Sequence, residues 1–446
     1  MFSRRQMLAS TAAAALTGTM ATTPTAQAAT TGFVRRDGMG LTLDGHPYRF
    51  TGANTWYLAW LGADADYGDH DRLERELDRL SADGITNLRV AASAELSPLT
   101  NSVRPAFRDA GSDYNETLLV GLDRALAEMG RREMKAVLYL TNFWEWSGGM
   151  MTYLSWVNGG HYINMNDPAH PWPEFADFNA DFYRSAEAVA LYHAYVRAVV
   201  GRTNTVTGGR YVDDPTIMAW QLANEPRAAG DADRVRQNQP AFLAWINNTA
   251  RLIKAIDPNH LVSTGSEGLM GSGEQADIVL DTHRSPDIDY LTAHIWPANW
   301  GWLDIEDMAG THAHALDMAR DYIARHVALA RQLNKPLVIE EFGYPREGDQ
   351  YDPAVPTTLR DEYYDTIHGA VLADARQGGP IAGSNFWAWN GEGRVAHPDF
   401  RFHRGDTAWL GDPPHEPQGW YGVFDTDTST RARIRAHAAA MSALTA

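Results

Sequence analysis

The feature of this chain that most restricts its fold is a regular alternation of short apolar runs and longer amphipathic runs. Eight short runs have the length and side-chain pattern of strands, at 52–56, 86–90, 135–140, 217–224, 261–265, 290–295, 336–341 and 381–387. Helix-length amphipathic runs lie between them, at 72–82, 116–132, 180–202, 242–256, 315–333 and 360–376, and a closing helix is predicted at 428–444. Strands that alternate with helices form parallel sheets, so eight units predict a closed (β/α)8 barrel, the TIM-barrel fold.

Other local patterns complete this prediction. Residues 41–50 have the pattern of a hairpin, with Asp44-Gly45 as its turn, and lead into the first barrel strand. Two long connections, 142–179 and 390–427, follow strand ends on the C-terminal face of the predicted barrel. Loops of this length in a compact domain usually shape a site, and active sites of such barrels lie on this face.

Composition excludes several classes of partner. The 446 residues, 44 % of them hydrophobic, can bury the core of one large domain. A net charge of −18 argues against nucleic acid and anionic membranes as partners. No apolar run long enough to span a bilayer follows the first 30 residues. The chain has no Cys, so the core must supply the stability without disulfide bonds. Its fifteen Trp residues are consistent with a groove in which sugar rings stack on indoles.

The N-terminus has the pattern of a targeting segment. The run 3–8 resembles a twin-arginine export signal, and an Ala-rich apolar stretch leads to Ala26-Gln27-Ala28, a plausible cleavage site. We therefore predict a signal peptide at 1–28, a catalytic domain at 29–446, and a secreted or periplasmic protein. Cleavage would remove Arg4, Arg5 and no acidic residue, so the net charge of −18 becomes −20.

Two short strings place acidic residues at strand ends. Asn224-Glu225-Pro226 follows the apolar run 217–223, and Glu340-Glu341-Phe342-Gly343 follows 336–339. Carboxyl ends of barrel strands meet on the catalytic face, and two facing carboxylates are what cleavage of a glycosidic bond requires. Strand alternation predicts that Glu340 and Glu341 point in opposite directions, one inward and one toward the helix layer.

At these positions the chain resembles glycoside hydrolase family 5, most closely its endo-β-1,4-mannanase branch. The resemblance covers nearly all of the chain after the predicted signal. It is carried by six strings in the same order along the chain, at 52–58, 87–90, 214–227, 294–297, 340–343 and 385–389. The resemblance implies the barrel fold, a retaining mechanism and no cofactor.

The resemblance also implies roles for individual residues. Glu225 corresponds to the acid/base and Glu341 to the nucleophile, with Arg89 as the cation that favours the ionised form of Glu341. Asn224 corresponds to the donor to the sugar 2-hydroxyl, and His294 to a histidine that hydrogen-bonds near the nucleophile.

Four further positions are expected to contact substrate. Trp387 corresponds to the platform under the sugar next to the scissile bond, and Arg227 to a substrate-contacting arginine of the mannanase branch. Trp56 could stack on sugar or pack in the core. Trp296 departs from the family pattern, because many members carry at this position a Tyr whose hydroxyl contacts the nucleophile.

Other acidic and histidine residues have simpler interpretations. Glu145, Glu267 and Glu392 also lie just past strand ends, where solvated loop acids are more common than catalytic groups. The close pairs His312/His314 and His397/His403 lie in no zinc-ligand motif, so no metal site is predicted.

Taken with the resemblance, these residues predict a mannan endo-1,4-β-mannosidase that acts as a monomer on mannan, glucomannan or galactomannan. One alternative is a family 5 β-1,4-glucanase, and another is a mannan enzyme that works from chain ends or transfers glycosyl groups. A third alternative, a carbohydrate-binding protein on an inactive barrel, conflicts with the intact Glu225, Glu341 and Arg89.

Overall fold

The computed structural model describes residues 32–111 and 113–445. The predicted signal peptide, residues 1–28, lies outside these ranges. The strands are β1 (Val34–Asp37), β2 (Gly40–Leu43), β3 (His46–Pro47), β4 (Phe50–Asn54), β5 (Asn87–Ala91), β6 (Lys135–Tyr139), β7 (Ile217–Gln221), β8 (Leu261–Ser263), β9 (Leu291–Ile295), β10 (Leu337–Phe342), β11 (Ile381–Phe386), β12 (Trp389–Gly391) and β13 (Val423–Phe424).

Strands β4 to β11 form one parallel sheet, in the order β8-β7-β6-β5-β4-β11-β10-β9. A parallel bridge between Ser263 and Tyr290 joins the two ends of this order and nearly closes the sheet. Each of the eight predicted strand segments supplies one barrel strand. The predicted (β/α)8 barrel is therefore confirmed.

Helices surround the sheet. They are α1 (Leu58–Leu61), α2 (His70–Ala82), α3 (Glu116–Arg131), α4 (Gly149–Val157), α5 (Glu174–Asn179), α6 (Ala186–Val200), α7 (Ala232–Ile256), α8 (Ala276–His283), α9 (Met308–Leu333), α10 (Thr358–Arg376) and α11 (Thr428–Ser442). In the described part of the chain, none of them has the length and hydropathy needed to cross a bilayer.

Several helices differ from the prediction, and three of them show why. Helix α7 begins at Ala232, before the predicted start at 242, and Pro240 lies inside it. The segment 180–202 divides at Ser185, whose hydroxyl accepts a hydrogen bond from the Ala188 N–H and starts α6. Helix α8 was not predicted, since eight residues give too few turns for a clear periodicity.

A small antiparallel sheet covers the N-terminal end of the barrel. Strand β2 pairs with β1 and β3, and the turn at Asp44 and Gly45 has φ of 51° and 83°, as a two-residue hairpin turn requires. The predicted hairpin is thus confirmed. Val34 and Leu41 pack on the apolar end of the barrel interior, so this end is closed and the site lies at the opposite one.

The two long connections are ordered and lie on the C-terminal face. The first contains α4 and α5. The second is organised around buried Asp412, whose carboxylate accepts hydrogen bonds from the backbone N–H groups of Gly419, Tyr421 and Gly422 at 2.7–3.0 Å. Asn390 Nδ2 donates to the same carboxylate at 3.0 Å. These hydrogen bonds fix the conformation of the connection 390–427 above the barrel.

Candidate active site

The two predicted carboxylates meet above the barrel. Glu225 follows β7, and Glu341 lies in β10; both are buried, at 7 % and 2 % exposure. One oxygen of each carboxylate and one nitrogen of His294 lie within 4.8 Å of one another. His294 Nδ1 is 2.6 Å from Glu225 Oε1 and 3.3 Å from Glu341 Oε2, so this imidazole sits between the two acids.

The backbone at Glu225 is unusual. Its φ is +49°, in the left-handed region that side chains other than glycine rarely adopt, while its N–H still donates to Gly265 O at 2.9 Å. Backbone strain of this kind concentrates at functional sites. Trp144 Nε1 donates to Glu225 Oε2, so an indole and His294 together fix the carboxylate.

Arg89 is the central cation of the site. It is fully buried, and its Nη1 donates to Glu341 Oε1. Its Nη2 donates to Asn224 Oδ1 at 2.7 Å and its Nε to Gln221 Oε1 at 2.8 Å. Burial disfavours the charged form, but the charges of Glu340 and Glu341 outweigh it and raise the pKa of Arg89. The guanidinium therefore stays charged opposite Glu341.

Glu340 does not point to the helix layer, so the expectation of opposite directions is wrong. Both of its carboxylate oxygens accept from Gln221 Nε2 at 2.7 Å, and Arg89 Nε lies 3.4 Å away. The pairing of β10 with β9 shifts register between Ile339 and Glu341, and this irregularity breaks the strand alternation. Arg89 consequently contacts both acids inside the barrel.

His294 is surrounded by the carboxylates of Glu225, Glu340 and Glu341. Although burial disfavours the imidazolium, the charge of Glu341 and hydrogen bonds to Glu225, Glu340 and Glu341 raise the pKa of His294 well above its ordinary value. The three atoms within 4.8 Å have the spacing of metal ligands, whereas the raised pKa favours an imidazolium, which offers no lone pair to an ion.

A cavity of about 440 Å³ opens above the two carboxylates. Its walls are rich in aromatic side chains, and it is lined by Trp144, Trp146, Met165, Trp172, Asn224, Glu225, Arg227, Glu267, Met270, Trp296, Asn299, Trp300, Glu341, Trp387, Pro413, His415 and Glu416. Such a volume is in the range of small-molecule sites.

Of the three tryptophans predicted to contact substrate, two line the cavity and one lies behind its wall. Trp387 and Trp296 line the cavity with their rings perpendicular to each other, 5.9 Å apart. Among the hydrogen bonds of the described residues, none joins Trp296 to Glu341. Trp56 packs behind Trp146 at 5.5 Å and donates its indole N–H to Gly411 O, so its position is that of a support for the cavity wall.

Arg227 lines the cavity together with Glu267, an acid that sequence reasoning treated as a solvated loop residue. Glu267 is 2 % exposed and accepts both Nε and Nη2 of Arg227, the latter at 2.6 Å. Burial, together with the charge of Glu225, raises the pKa of Glu267 in spite of this guanidinium. In the sequence, only the position of Glu267 just past β8 indicated that it could belong to the site.

His415 and Glu416 were also missed, although they belong to the second long connection. The ring of His415 is stacked on Trp146, 6.4 Å away and 11° from parallel. Burial lowers the pKa of His415 to about 3, and burial with the charges of Asp412, Glu225 and Glu341 raises that of Glu416 well above its ordinary value. Within the described ranges, His415 Nδ1 and Glu416 Oε2 have no hydrogen-bond partner, and both residues face the cavity.

Two buried carboxylates at the carboxyl ends of barrel strands, in a cavity walled by indoles, define a glycoside hydrolase. Residues 31–446 match the model of the glycoside hydrolase family 5 β-mannosidase-like proteins. The chain belongs to this family.

Relatives with established names are consistent with this assignment. The chain is 30 % identical to mannan endo-1,4-beta-mannosidase 7 of Arabidopsis thaliana over 369 residues, which is 80 % of this chain and 77 % of that protein. It is equally similar to mannan endo-1,4-beta-mannosidase 1 of Oryza sativa subsp. japonica, over 80 % of this chain and 78 % of that one. The crystal structure of a family 5 mannosidase from Rhizomucor miehei superposes with a TM-score of 0.84 at 38 % identity, covering 93 % of this chain and 98 % of that chain.

Proposed function

We propose that this glycosidase hydrolyses β-1,4-mannosidic linkages of mannan, glucomannan or galactomannan with retention of anomeric configuration. The observation that carries the proposal is the pair Glu225 and Glu341, joined through His294. Retaining enzymes hold their carboxyl groups about 5–5.5 Å apart, whereas inverting enzymes leave about 6.5–9.5 Å for a water molecule. A closest approach within 4.8 Å supports the retaining class.

In the proposed mechanism Glu341 attacks the anomeric carbon while Glu225 protonates the leaving oxygen. A glycosyl ester on Glu341 results; Glu225 then takes a proton from water, which hydrolyses the ester. Arg89 balances the charge of Glu341 before attack, and Trp144 and His294 keep the Glu225 carboxyl in place. Each group acts where charge changes during the reaction.

The choice of mannose over glucose is assigned to Asn224. Arg89 occupies its Oδ1, and its Nδ2 donates to Asn142 Oδ1 at 3.0 Å, so the amide orientation is fixed. The remaining N–H can face the sugar, because Asn224 lines the cavity. Mannose differs from glucose in its axial 2-hydroxyl, and a fixed buried donor discriminates strongly between two positions of a hydroxyl.

Action at chain ends is the second candidate. Pro413, His415 and Glu416 add a wall beside Trp146, whose ring contacts Trp387 at 6.5 Å. If Trp387 carries the sugar on the glycone side, this wall limits how far the chain extends there. The sizes of products released from mannan over time test this point, since chain-end action yields one short product from the start and internal cleavage yields a range of lengths.

The principal test is the variant Glu341→Ala with added azide. We expect loss of hydrolysis, and azide should restore turnover and give an α-linked glycosyl azide, since the small anion attacks from the side vacated by the carboxylate. Glu392→Ala is the matched control, because Glu392 pairs with Arg75 and Arg79 away from the cavity. An active Glu341→Ala enzyme would refute the nucleophile assignment.

We also propose that residues 1–28 direct export of the protein out of the cytoplasm. The support is Arg4-Arg5 before an apolar stretch and the small residues Ala26 and Ala28. N-terminal sequencing of protein from the culture medium or periplasm tests this, with a mature chain that begins at Ala29 as the expected result.

A further inference from the structure

Trp172 is the most exposed large apolar side chain in the described ranges, at 49 %, and it lines the catalytic cavity. Two other indoles of the same cavity are nearly covered: Trp387 is 4 % exposed and Trp296 is 8 %. An exposed aromatic surface at the edge of a site marks a place where a ligand can bury it. Trp172 therefore presents to the cavity an aromatic surface that packing within the protein leaves uncovered.

The indole of Trp172 is held from one side by a buried ion pair. The guanidinium of Arg227 lies 5.4 Å from the Trp172 ring and 5.1 Å from the Trp144 ring. Glu267 holds this guanidinium through two hydrogen bonds, so it cannot follow a mobile side chain. Cation–π attraction to a fixed guanidinium keeps Trp172 near Trp144, with ring centroids 6.2 Å apart.

The backbone on the C-terminal side of Trp172 is docked as well. Pro173 packs against Gly230, where an added Cβ would lie only 2.3 Å from Pro173 Cβ. The Gly230 N–H also donates to Asp177 Oδ1 at 3.3 Å. The glycine thus lets the connection that carries Trp172 approach the loop that carries Arg227, and the exposed indole projects from an anchored segment.

The neighbours of Trp172 show which side of the site it serves. Trp144, which contacts Trp172, donates its N–H to Glu225. In the proposed function Glu225 protonates the leaving oxygen, so Trp144 and Trp172 flank the leaving group. The far side, near Trp387, receives the sugar that becomes bound to Glu341.

We propose that Trp172 is a specificity-determining residue that stacks on the pyranose ring of the leaving group. Its ligand is a neutral hexopyranosyl unit with an apolar face of C–H groups, as a β-linked mannosyl residue presents. Arg227 is a positioning residue in this arrangement, because Glu267 fixes its guanidinium against the two indoles. The assignment rests on the proposed function, since that function defines the leaving-group side.

Two substrates separate the contribution of Trp172 from the chemistry. Mannotriose has a sugar as leaving group, and β-mannosyl fluoride has a single atom that cannot reach Trp172. We expect Trp172→Ala to lower the ratio of kcat/KM on mannotriose to that on the fluoride roughly ten-fold, mainly through KM on mannotriose. Trp172→Phe should recover part of this ratio, because it restores an aromatic face.

Tyr162→Ala is the matched control. Tyr162 lies in the same connection with a similar exposure of 39 %, but it does not line the cavity, so the wild-type ratio should be kept. If the wild-type enzyme cleaves both substrates and Trp172→Ala has the same kcat/KM ratio as the wild type, the proposed role of Trp172 is overturned. The two-carboxylate mechanism would remain intact. A wild-type enzyme that cleaves neither substrate would overturn the proposed function and this inference with it.

Discussion

His326 is a buried histidine whose hydrogen bonds hold a loop of the cavity wall, so its protonation should affect the stability of the protein. It is buried in α9, its Nδ1 is 2.7 Å from Tyr322 O, and the Leu269 N–H donates to its Nε2 at 3.0 Å. These partners require a neutral imidazole that donates from Nδ1 and accepts at Nε2. A proton on Nε2 would face the Leu269 N–H, in the loop between Glu267 and Met270 that lines the cavity.

The cost of that proton follows from the pKa. Burial lowers the pKa of His326 from 6.5 to about 4, so between these values the unfolded chain binds a proton that the folded chain does not. The free energy of unfolding then falls by about 1.4 kcal/mol per pH unit as the pH decreases, and by roughly 3 kcal/mol across the whole window. The effect fades above pH 6.5, as the imidazole of the unfolded chain also loses its proton.

We expect His326→Gln to remove this dependence. The variant should be less stable near pH 7 by about 1–2 kcal/mol, because one amide replaces two well-placed ring nitrogens. The free energy of unfolding is measured at each pH from urea titrations followed by Trp fluorescence. Between pH 6.5 and 5 it should fall less steeply in the variant than in the wild type, by about 1.4 kcal/mol per pH unit. His46→Gln, at an exposed position of β3, is the control and should follow the wild-type slope. If the free energy of unfolding has the same dependence on pH in His326→Gln and the wild type, the role assigned to His326 is refuted.

Three further predictions concern the site. Glu225→Ala should slow mannotriose far more than a dinitrophenyl mannoside, because an activated leaving group hardly needs a proton; equal losses on both would contradict the acid/base role. Arg89→Met should lower the free energy of unfolding by about 3–5 kcal/mol, since it leaves Glu341 buried without its cation, and an unchanged urea midpoint would argue against this account. The wild-type enzyme should prefer manno- to cello-oligosaccharides of equal length by orders of magnitude in kcat/KM, and comparable values would exclude the mannan assignment.

Local patterns in the sequence were sufficient for the barrel and for the position of its acids. A strand or helix period depends on neighbouring residues alone, so the eight strand segments could be recognised without knowledge of their contacts. The carboxyl ends of parallel strands meet on one face, and Glu225 and Glu341 could therefore be placed together from their positions at strand ends.

Departures from these patterns come from contacts between distant segments. Glu340 points into the barrel because the pairing of β10 with β9 shifts register, and a single strand carries no sign of its partner's register. Helix α7 continues through Pro240 because tertiary packing outweighs one lost hydrogen bond.

The walls of the cavity were decided by the tertiary structure. Glu267 and Arg227 are 40 positions apart, and Trp146 and His415 belong to different long connections, so neither pair has a local signature. Burial reverses the expected character of such groups: Glu267 becomes the fixed partner of an arginine, and His415 stays neutral well below its ordinary pKa. The sequence alone thus determined the fold and the position of Glu225 and Glu341 at strand ends. The distances, the burial and the shape of the cavity depend on the packing of connections that are remote in sequence.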